Sequence, residues 1–327
     1  MNLSLTDQGE SAVAFAVVFP GQGSQSVGML AELAGEYSQV KATFGEASDI
    51  VGQDLWALAQ EGTKEALGDT RNTQPLMFTA GVAVWRVMQA SGLPMPVAFA
   101  GHSLGEFAAL VASEALPFAD GVALVKQRAN LMAEAVPEGQ GGMAALIGMD
   151  DNAVDELCKS ISGERVTEAV NFNAPGQVAI SGHLDALEKT IEKAREMGVR
   201  KALMLPVSVP NHSSLMRPAG AELAKTIDTL NWSFPKAPLV QNATAAAPAD
   251  LNTLLDHLKA HVYNPVYWTK TIEALRDNYG VTSVIEAGPG KVLTGLGKRI
   301  DRALPTLAVD APATLDAAID SVTNAMD

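Results

Sequence analysis

The chain has 327 residues, of which 47% are hydrophobic and 18% are charged. This length and composition indicate a globular protein of one or two domains with a large buried core, and they exclude a disordered chain. The net charge of −14 argues against binding to nucleic acid or to an anionic membrane through the overall electric field. The single cysteine excludes an intramolecular disulfide and a cysteine-rich metal or iron–sulfur site.

The N-terminal region predicts neither export nor membrane insertion. The first basic residue is Lys41, so the positive flank of a signal peptide is missing. The longest early apolar run, Ala12–Phe19, has eight residues, whereas a membrane-spanning helix needs roughly 20. We therefore expect a soluble protein of the cytoplasm, with residues 1–11 as a loose polar leader.

The first 135 residues predict strands that alternate with helices. Ala12–Phe19 has the length and the β-branched residues of a strand buried on both faces. Helical patterns follow as far as about residue 92, and Val97–Ala100 is a second short strand. Further helices are predicted from Leu104 and over Phe118–Ala135, where apolar residues recur at helical spacing.

The elements predicted over residues 136–208 follow a different order, βαββαβ. Strands are predicted at Met143–Met149, Glu168–Asn173, Gln177–Ser181 and Arg200–Val207, and helices at Asp151–Ile161 and Leu184–Met197. This order is typical of a ferredoxin-like unit, in which two helices cover one face of a four-stranded sheet. We predict that residues 136–208 form a small ferredoxin-like subdomain inserted into a larger domain of residues 1–135 and 209–327.

The larger domain continues after the insertion. Short strands at Leu239–Gln241 and Val284–Glu286 are separated by helical segments near residues 251–261 and 268–278. Strands that alternate with helices predict an α/β fold in which a mainly parallel sheet is covered on both faces.

A serine lies between a predicted strand and a predicted helix, in the sequence Gly101-His102-Ser103-Leu104-Gly105. A G-x-S-x-G pattern in this context is typical of a nucleophile elbow, a tight turn that lifts the serine hydroxyl above the sheet edge. The helix that follows points its N-terminal amides toward the same place, where they favour a developing oxyanion. The alternative is a glycine-rich turn in which Ser103 only caps the helix.

A serine nucleophile needs a base, and five histidines are available. His102 is expected to point away from the adjacent serine, and His183 opens a helix. His257 and His261 are four residues apart on one predicted helix, but no third ligand is evident, so we expect no metal. His212 lies in a strand-to-helix loop at the sheet edge, where it is either the base or an ordinary surface histidine.

Arg128 rises from an apolar stripe on its helix, with Leu124 four residues before it and Leu131 three after it. A desolvated guanidinium needs an anion, and its planar fork suits a carboxylate. That carboxylate belongs either to an Asp or Glu of the chain or to a substrate, and the sequence leaves both open.

The loop Gly21-Gln22-Gly23 does not fit a nucleotide site. Ser26 replaces the third glycine of the dinucleotide pattern, and no Gly-Lys-Ser or Gly-Lys-Thr follows as in a phosphate-binding loop. A close approach of this backbone to the serine turn, to which it would supply amides, fits better. We therefore expect no cofactor.

Taken together, the motifs resemble those of bacterial malonyl-CoA:acyl-carrier-protein transacylases, the acyltransferases of type II fatty acid synthesis. The likeness spans about residues 14–305. It rests on Phe-Pro-Gly-Gln-Gly-Ser-Gln at 19–25, Thr-Gln-Pro at 73–75, Gly-His-Ser-Leu-Gly-Glu at 101–106, Glu-Ala-Val-Pro-Glu-Gly at 134–139, Asn-Phe-Asn-Ala-Pro-Gly-Gln at 171–177, Leu-Pro-Val-Ser-Val-Pro at 205–210 and Gly-Pro-Gly-Lys-Val-Leu-Thr-Gly at 288–295.

The resemblance implies an α/β-hydrolase-like domain with an inserted ferredoxin-like subdomain. It implies Ser103 as the nucleophile, His212 as its base, the backbone amides of Gln22 and Leu104 as the oxyanion hole, Arg128 as a clamp for a malonyl carboxylate and Asn173 as a residue facing the cleft. The chain departs from the family at His261, where a Gln is usual. In the family this residue orients the catalytic histidine through its backbone carbonyl, a role that does not depend on the side chain.

The implied reaction is transfer of a malonyl group from malonyl-CoA to the phosphopantetheine thiol of acyl carrier protein. It follows a ping-pong Ser-His mechanism through a malonyl-serine ester, with malonyl-CoA as a substrate and no cofactor. Three other functions stay open: an acyltransferase that serves a polyketide synthase in trans, a serine esterase or thioesterase, and a non-catalytic carrier-binding module.

The carrier protein needs a positive docking surface, because carriers of this pathway are acidic and so is this chain. Lys291, Lys298, Arg299 and Arg302 cluster in the sequence and are candidates for that surface. The alternative is that these cations only suit the dipole at the end of a helix. We expect the protein to be a monomer.

Overall fold

The computed structural model describes residues 13–323, so the predicted leader at 1–11 lies outside the described residues. Within these residues, the chain forms two sheets and the helices that cover them. The first sheet consists of β1 (Phe15–Phe19), β2 (Ala98–Gly101), β7 (Leu239–Val240), β8 (Ser283–Ala287) and β9 (Thr306–Val309), and the second of β3 (Gly141–Ile147), β4 (Thr167–Ala174), β5 (Gln177–His183) and β6 (Lys201–Met204).

The helices lie between and after the strands. They are α1 (Ala31–Glu36), α2 (Ser38–Val51), α3 (Leu55–Glu61), α4 (Lys64–Gly68), α5 (Thr70–Ala90), α6 (Gly105–Ala112), α7 (Phe118–Glu134), α8 (Asp151–Ile161), α9 (Leu184–Glu196), α10 (Arg217–Ile227), α11 (Leu251–Ala260), α12 (Trp268–Tyr279), α13 (Val292–Ile300) and α14 (Pro312–Thr323). Two short 3-10 helices lie at Ser214–Met216 and His261–Tyr263.

The first sheet is parallel throughout, in the order β7-β2-β1-β8-β9. Its central strand β1 is buried on both faces: side chains with odd numbers pack into one hydrophobic cluster and those with even numbers into another. This double burial explains why the sequence shows an unbroken apolar run there rather than an alternation. The predicted α/β fold with a parallel sheet is confirmed.

The parallel arrangement places two loops of the predicted site side by side. Phe19, the last residue of β1, is paired with Gly101, the last residue of β2. Because the carboxyl ends of parallel strands meet at one edge of a sheet, the loop after Phe19 and the turn after Gly101 start next to each other.

The second sheet is antiparallel, in the order β4-β5-β3-β6, and its core is formed with α8 and α9. Cys158 belongs to the apolar stripe with which α8 packs on this sheet. The predicted ferredoxin-like subdomain is confirmed, whereas its limits at residues 136 and 208 stay a prediction. Its two connections to the larger domain run side by side, since a Cβ at Gly141 would press on Pro210.

Several element ends differ from the prediction. β1 begins at Phe15 rather than at Ala12, and β6 ends at Met204 rather than at Val207. Pro206 cannot donate to a strand ladder, which explains the early end of β6. The prediction also lacked β9, a strand of four residues at the edge of the sheet, because so short a run carries little periodicity.

Candidate active site

The serine of the G-x-S-x-G pattern stands on a tight turn. β2 ends at Gly101 and α6 begins at Gly105, with Ser103 between them. The backbone of Ser103 has a φ of 50°, in the left-handed region, which is uncommon for a residue with a side chain. A Cβ at Gly101 would clash with Gly105, and a Cβ at Gly105 would clash with the carbonyl of Phe19, so both positions require glycine.

His212 contacts this serine directly. Its Nε2 atom lies 2.6 Å from the Oγ of Ser103, and its Nδ1 atom lies 3.1 Å from the carbonyl oxygen of His261 and 2.9 Å from that of Asn264. Carbonyls only accept hydrogen bonds, so Nδ1 carries the proton and Nε2 is free to accept one from the serine. Burial, reinforced by the charge of Arg128, lowers the pKa of His212 to about 3, so the ring is neutral at pH 7.

Arg128 is buried with only neutral groups as hydrogen-bond partners. Its Nη1 donates to the Oε1 of Gln74 at 2.5 Å, its Nη2 lies 3.5 Å from the Nδ1 of His261, and its Nε has no partner among the described residues. Burial lowers the pKa of Arg128 to about 9, against the opposing effect of Glu106, so the guanidinium stays charged at pH 7. This arrangement fits a carboxylate that comes from outside the chain.

The ring of His261 lies between Arg128 and Glu106. Its Nδ1 faces the guanidinium, and its Nε2 lies 3.8 Å from the Oε2 of Glu106. Burial, followed by the charge of Arg128, holds the pKa of His261 well below its usual range, so this ring is also neutral. The backbone carbonyl of His261 accepts a hydrogen bond from the Nδ1 of His212, as the resemblance implied. The side chain of His261 lies beside the guanidinium of Arg128.

One cavity of about 190 Å³ brings most of the predicted residues together. Those that line it are Gln22, Ser103, Leu104, Arg128, Asn173 and His212. Val292, Leu293 and Leu296 of α13 also line it, together with residues of the small subdomain. His261 stands behind Arg128 instead. The structure thus gathers every predicted site residue except His261 around one cavity, and the role of each member stays a prediction.

The loop that contains Gln22 approaches the serine turn closely. A Cβ at Gly21 would lie 2.6 Å from the carbonyl oxygen of His102, so the two backbones touch there. The side chain of Gln22 accepts from the hydroxyl of Thr70 at 3.0 Å. This is the close backbone approach that the sequence favoured over a nucleotide loop, and Leu104 stands at the start of α6 on the turn itself.

The small subdomain reaches the cavity through Asn173, whose Oδ1 lies 2.7 Å from the Nε2 of His102. The ring of His102 therefore forms its hydrogen bond with the small subdomain and not with Ser103. Asn171 also lines the cavity, and its buried Oδ1 has no partner within the described part of the chain. The wall that the subdomain supplies is thus polar.

Three residues of the site were not found from the sequence. Gln74 and Glu106 stand inside matched motifs, but nothing local to them predicted contacts with Arg128 or with the serine turn. The Oδ1 of Asn242 accepts from the backbone N–H of Ser103 at 2.7 Å across 139 residues of chain. No sequence pattern marks such a contact, and only the tertiary structure reveals it.

Among residues 13–323, no three His, Cys, Asp or Glu side chains lie close enough together to hold a metal ion. α11 ends at Ala260, so His257 and His261 lie on successive helices and not on one helix as predicted. The ring of His257 lies 2.9 Å from the Oε1 of Gln241. In this same part of the chain, no helix combines the length and the hydrophobicity needed to cross a membrane.

Comparison with known proteins decides the family. The model of the acyl transferase domain matches residues 16–304. The chain belongs to this acyl transferase family. It is 50% identical to the malonyl CoA-acyl carrier protein transacylase of Salmonella typhimurium over 305 residues, which cover 93% of this chain and 98% of that protein.

Solved structures agree with this acyl transferase assignment. An acyl carrier protein S-malonyltransferase from Vibrio cholerae has a TM-score of 0.90 at 49% identity, covering 93% of this chain and 99% of that one. A malonyl-transacylase in complex with its type II PKS acyl-carrier protein has a TM-score of 0.92 at 44% identity, covering 94% and 99%. The predicted family is confirmed, and the protein is an acyltransferase.

Proposed function

We propose that this acyl transferase moves a malonyl group from malonyl-CoA to the phosphopantetheine thiol of an acyl carrier protein, through an ester of Ser103. The observation that carries the proposal is a serine–histidine pair in one cavity with a buried guanidinium. The pair accepts an acyl group, and the guanidinium selects one that ends in a carboxylate. The names of the relatives support the same substrate and acceptor.

The first half-reaction loads the serine. The Nε2 of His212 takes the proton of Ser103 as the Oγ bonds to the thioester carbonyl carbon. The tetrahedral oxyanion then collapses, the carbon–sulfur bond breaks, and the proton on His212 passes to the sulfur of coenzyme A, which leaves as a thiol.

The second half-reaction reverses these steps with a new thiol. The phosphopantetheine thiol gives its proton to His212, and its sulfur attacks the ester carbon. The carbon–oxygen bond then breaks, and the proton returns to the Oγ of Ser103. Because the first product leaves before the second substrate reacts, the kinetics are ping-pong.

Two further groups complete this mechanism. The backbone N–H groups of Gln22 and Leu104 hold the oxyanion, and each donor of this kind lowers the barrier by about 3 kcal/mol. Arg128 binds the malonyl carboxylate, and an acetyl group leaves its buried charge without that partner. No step requires a metal or a redox cofactor, and the predicted location in the cytoplasm fits a chain whose one cysteine is a free thiol.

The deciding experiment is the intact mass of the protein after brief exposure to malonyl-CoA. An adduct of malonyl mass is expected on the wild type, none on Ser103→Ala, and none on either protein with acetyl-CoA. Peptide mapping should place the adduct on Ser103. An equal acetyl adduct, or no adduct, would contradict the proposal, and rapid hydrolysis of simple esters would then favour a serine esterase.

The pathway has two candidates. Type II fatty acid synthesis follows from the motif resemblance, whereas the relative solved with a type II PKS acyl-carrier protein favours a polyketide pathway. We propose fatty acid synthesis, because the named relatives at the highest identity given above are malonyl transacylases without a stated polyketide partner. Comparing kcat/KM for carrier proteins of the two pathways separates them, and a preference for the polyketide carrier would reverse the assignment.

We also propose that the carrier docks on the cluster of Lys291, Lys298, Arg299 and Arg302. All four side chains are exposed, and they lie on or beside α13, the helix whose apolar residues line the cavity. Arg299 in addition donates to the Oε1 of Gln177 in the small subdomain. A cationic surface next to the cavity suits an acidic carrier protein.

Charge reversal tests this surface. The pair Lys298→Glu and Arg299→Glu is expected to raise the KM for carrier protein about tenfold, because like charges then repel at the interface. The formation of acyl-enzyme from malonyl-CoA should not change. Lys189→Glu, on an exposed position of α9, is the matched control, and an equal effect of that variant would dismiss the surface.

A further inference from the structure

The serine turn holds an unfavourable backbone conformation. Ser103 lies in the left-handed region with a φ of 50°, although it carries a side chain. Such a conformation persists only where the surrounding structure fixes it. The groups that fix it also set the direction of the Oγ relative to the Nε2 of His212, and therefore the rate at which the serine reacts.

One side chain holds the two peptide groups that lead into the serine. The Oδ1 of Asn242 accepts from the N–H of Ser103 at 2.7 Å, and its Nδ2 donates to the carbonyl of Gly101 at 2.7 Å. Asn242 is buried in the loop after β7, the strand that pairs with β2. A single amide thus ties together the two peptide groups that precede the serine.

Glu106 fixes the orientation of that amide. Its Oε2 accepts from the backbone N–H of Asn242 at 2.8 Å and also from the Nδ2 of the same residue. Because the backbone N–H of Ser103 only donates and the carbonyl of Gly101 only accepts, Oδ1 faces Ser103, and Nδ2 faces Gly101 and Glu106. Glu106 is 1% exposed and lies in the first turn of α6, so it ties the helix after the serine to the loop after β7.

We infer that Asn242 and Glu106 are positioning residues, which hold the turn so that the hydroxyl of Ser103 points at His212. Neither residue is part of the cavity lining. Asn242 also occupies the N–H of Ser103, which leaves the N–H of Leu104 for the proposed oxyanion hole. The inference rests on the proposed role of Ser103 as nucleophile, but it does not depend on which acyl group is transferred.

The test measures the reactivity of the serine with a fluorophosphonate, a probe that labels nucleophilic serines and has no carboxylate for Arg128. Asn242→Ala is expected to lower the second-order labelling rate about 100-fold, because small displacements of a reacting group cost this much. The KM for malonyl-CoA should change by less than about threefold, since the change acts on the turn and not on substrate contacts.

Gln241→Ala is the matched control. Gln241 is as buried as Asn242 and donates to the same carboxylate at 3.3 Å, but it touches neither peptide group of the turn. Its labelling rate is expected to stay within about threefold of the wild type, even where its melting temperature falls as far as that of Asn242→Ala. Equal losses of labelling in the two variants would show a merely structural role and overturn the inference.

The Glu106 part of the inference has its own pair of variants. Glu106→Gln keeps an oxygen that accepts from Asn242 and is expected to label within about fivefold of the wild type, whereas Glu106→Ala should lose about 100-fold. If Glu106→Ala labels as fast as the wild type, Glu106 does not position the turn.

Asn242→Asp covers the case in which the alanine variants do not fold. Asp keeps the shape and accepts from the N–H of Ser103, but it cannot donate to Gly101, and its carboxylate faces that of Glu106. Arg128 and His261 are the other charged or titratable groups that face Glu106. A proton shared by the two carboxylates restores one donor, so labelling relative to the wild type should rise about tenfold from pH 8 to about pH 6. A flat ratio would overturn the inference.

These readouts separate the inference from the proposed function. If malonyl-CoA gives no adduct while the labelling rates follow the expected pattern, the proposed substrate is wrong and the positioning role stands. If the adduct forms and Asn242→Ala labels as fast as the wild type, the proposed substrate stands and the positioning role of Asn242 is wrong.

Discussion

The two ends of the cavity differ in how completely their polar atoms are satisfied. At the serine end, the Oγ of Ser103 meets His212, and His212 meets two backbone carbonyls. At the arginine end, the Nε of Arg128 has no partner among the described residues, and Nη2 has only a long contact of 3.5 Å. The serine–histidine pair is thus complete in the free protein, whereas the proposed acyl-binding end keeps a donor available for the carboxylate of the proposed substrate.

Removing His212, the proposed base, should give the largest effect at the serine end of the cavity. His212→Ala is expected to slow acylation of Ser103 by malonyl-CoA about 1,000-fold or more, because the serine then has no group to accept its proton. Single-turnover formation of the adduct, followed by mass, measures this rate. His183→Ala serves as control, since that ring accepts from the N–H of Val166 outside the site. A loss of less than tenfold would show that another base acts.

Substitutions of Arg128 test the arginine end of the cavity. Arg128→Ala is expected to lower kcat/KM for malonyl-CoA about 100-fold while leaving the slow reaction of acetyl-CoA unchanged, because only the malonyl group carries a free carboxylate. Arg128→Lys should recover part of the loss, since it keeps the charge but not the planar fork. If the preference for malonyl over acetyl is the same in Arg128→Ala and the wild type, the carboxylate binds elsewhere.

His261 links the two ends, and its side chain and its carbonyl can be tested separately. His261→Leu keeps the carbonyl that orients His212 but removes the contact with Arg128. We expect the preference for malonyl over acetyl to fall about tenfold, with fluorophosphonate labelling unaffected, because only the arginine loses an acceptor. His261→Gln, which introduces the residue that the motif resemblance leads us to expect here, should lose less. Should both variants keep the wild-type preference, the ring plays no part in selection.

The smallest expected effect is the uptake of a proton by Glu106 when malonyl-CoA binds. Burial raises the pKa of Glu106 to about 7, although its hydrogen bonds and the charge of Arg128 oppose the rise. A substrate carboxylate on Arg128 cancels that charge and raises the pKa of Glu106 further. Binding at pH 7 should therefore take up roughly half a proton, since Glu106 is about half ionised beforehand.

Calorimetry measures this uptake directly. Binding of malonyl-CoA to Ser103→Ala, which cannot react, is titrated in two buffers with different enthalpies of ionisation. The apparent enthalpies should differ between the buffers, and the difference should vanish when Glu106→Gln is added to the same background. Identical enthalpies without that second change would mean that Glu106 does not respond to the substrate.

The sequence predicted the parts of the site that a local pattern marks. Ser103 was found because the turn, the strand before it and the helix after it are all encoded within a few residues, and Arg128 because a cation in an apolar stripe is conspicuous. The residues alone left His212 open as the base, the motif resemblance implied it, and the structure places its Nε2 atom 2.6 Å from the Oγ of Ser103. Its position depends on the packing of distant segments.

The groups that contact Ser103 and His212 are not marked by any local sequence pattern. Backbone carbonyls, such as those that hold His212, exist at every position of the chain, so their residue types say nothing about which of them is used. Asn242 acts through a contact across 139 residues and carries no neighbouring pattern. The fold class was predictable because buried parallel strands need unbroken apolar runs, whereas these contacts depend on how the finished strands and loops pack.

The order of the strands also bears on the synthesis of the protein. β1 leaves the ribosome long before one of its two neighbours, β8, which begins at residue 283. Proteins are made from the N-terminus, and contacts between distant residues form late. A nascent chain therefore carries Ser103 long before it carries His212, Asn242 or His261. On the proposed roles, a nascent chain that has not yet reached residue 283 lacks a neighbour of β1 and cannot hold the complete site.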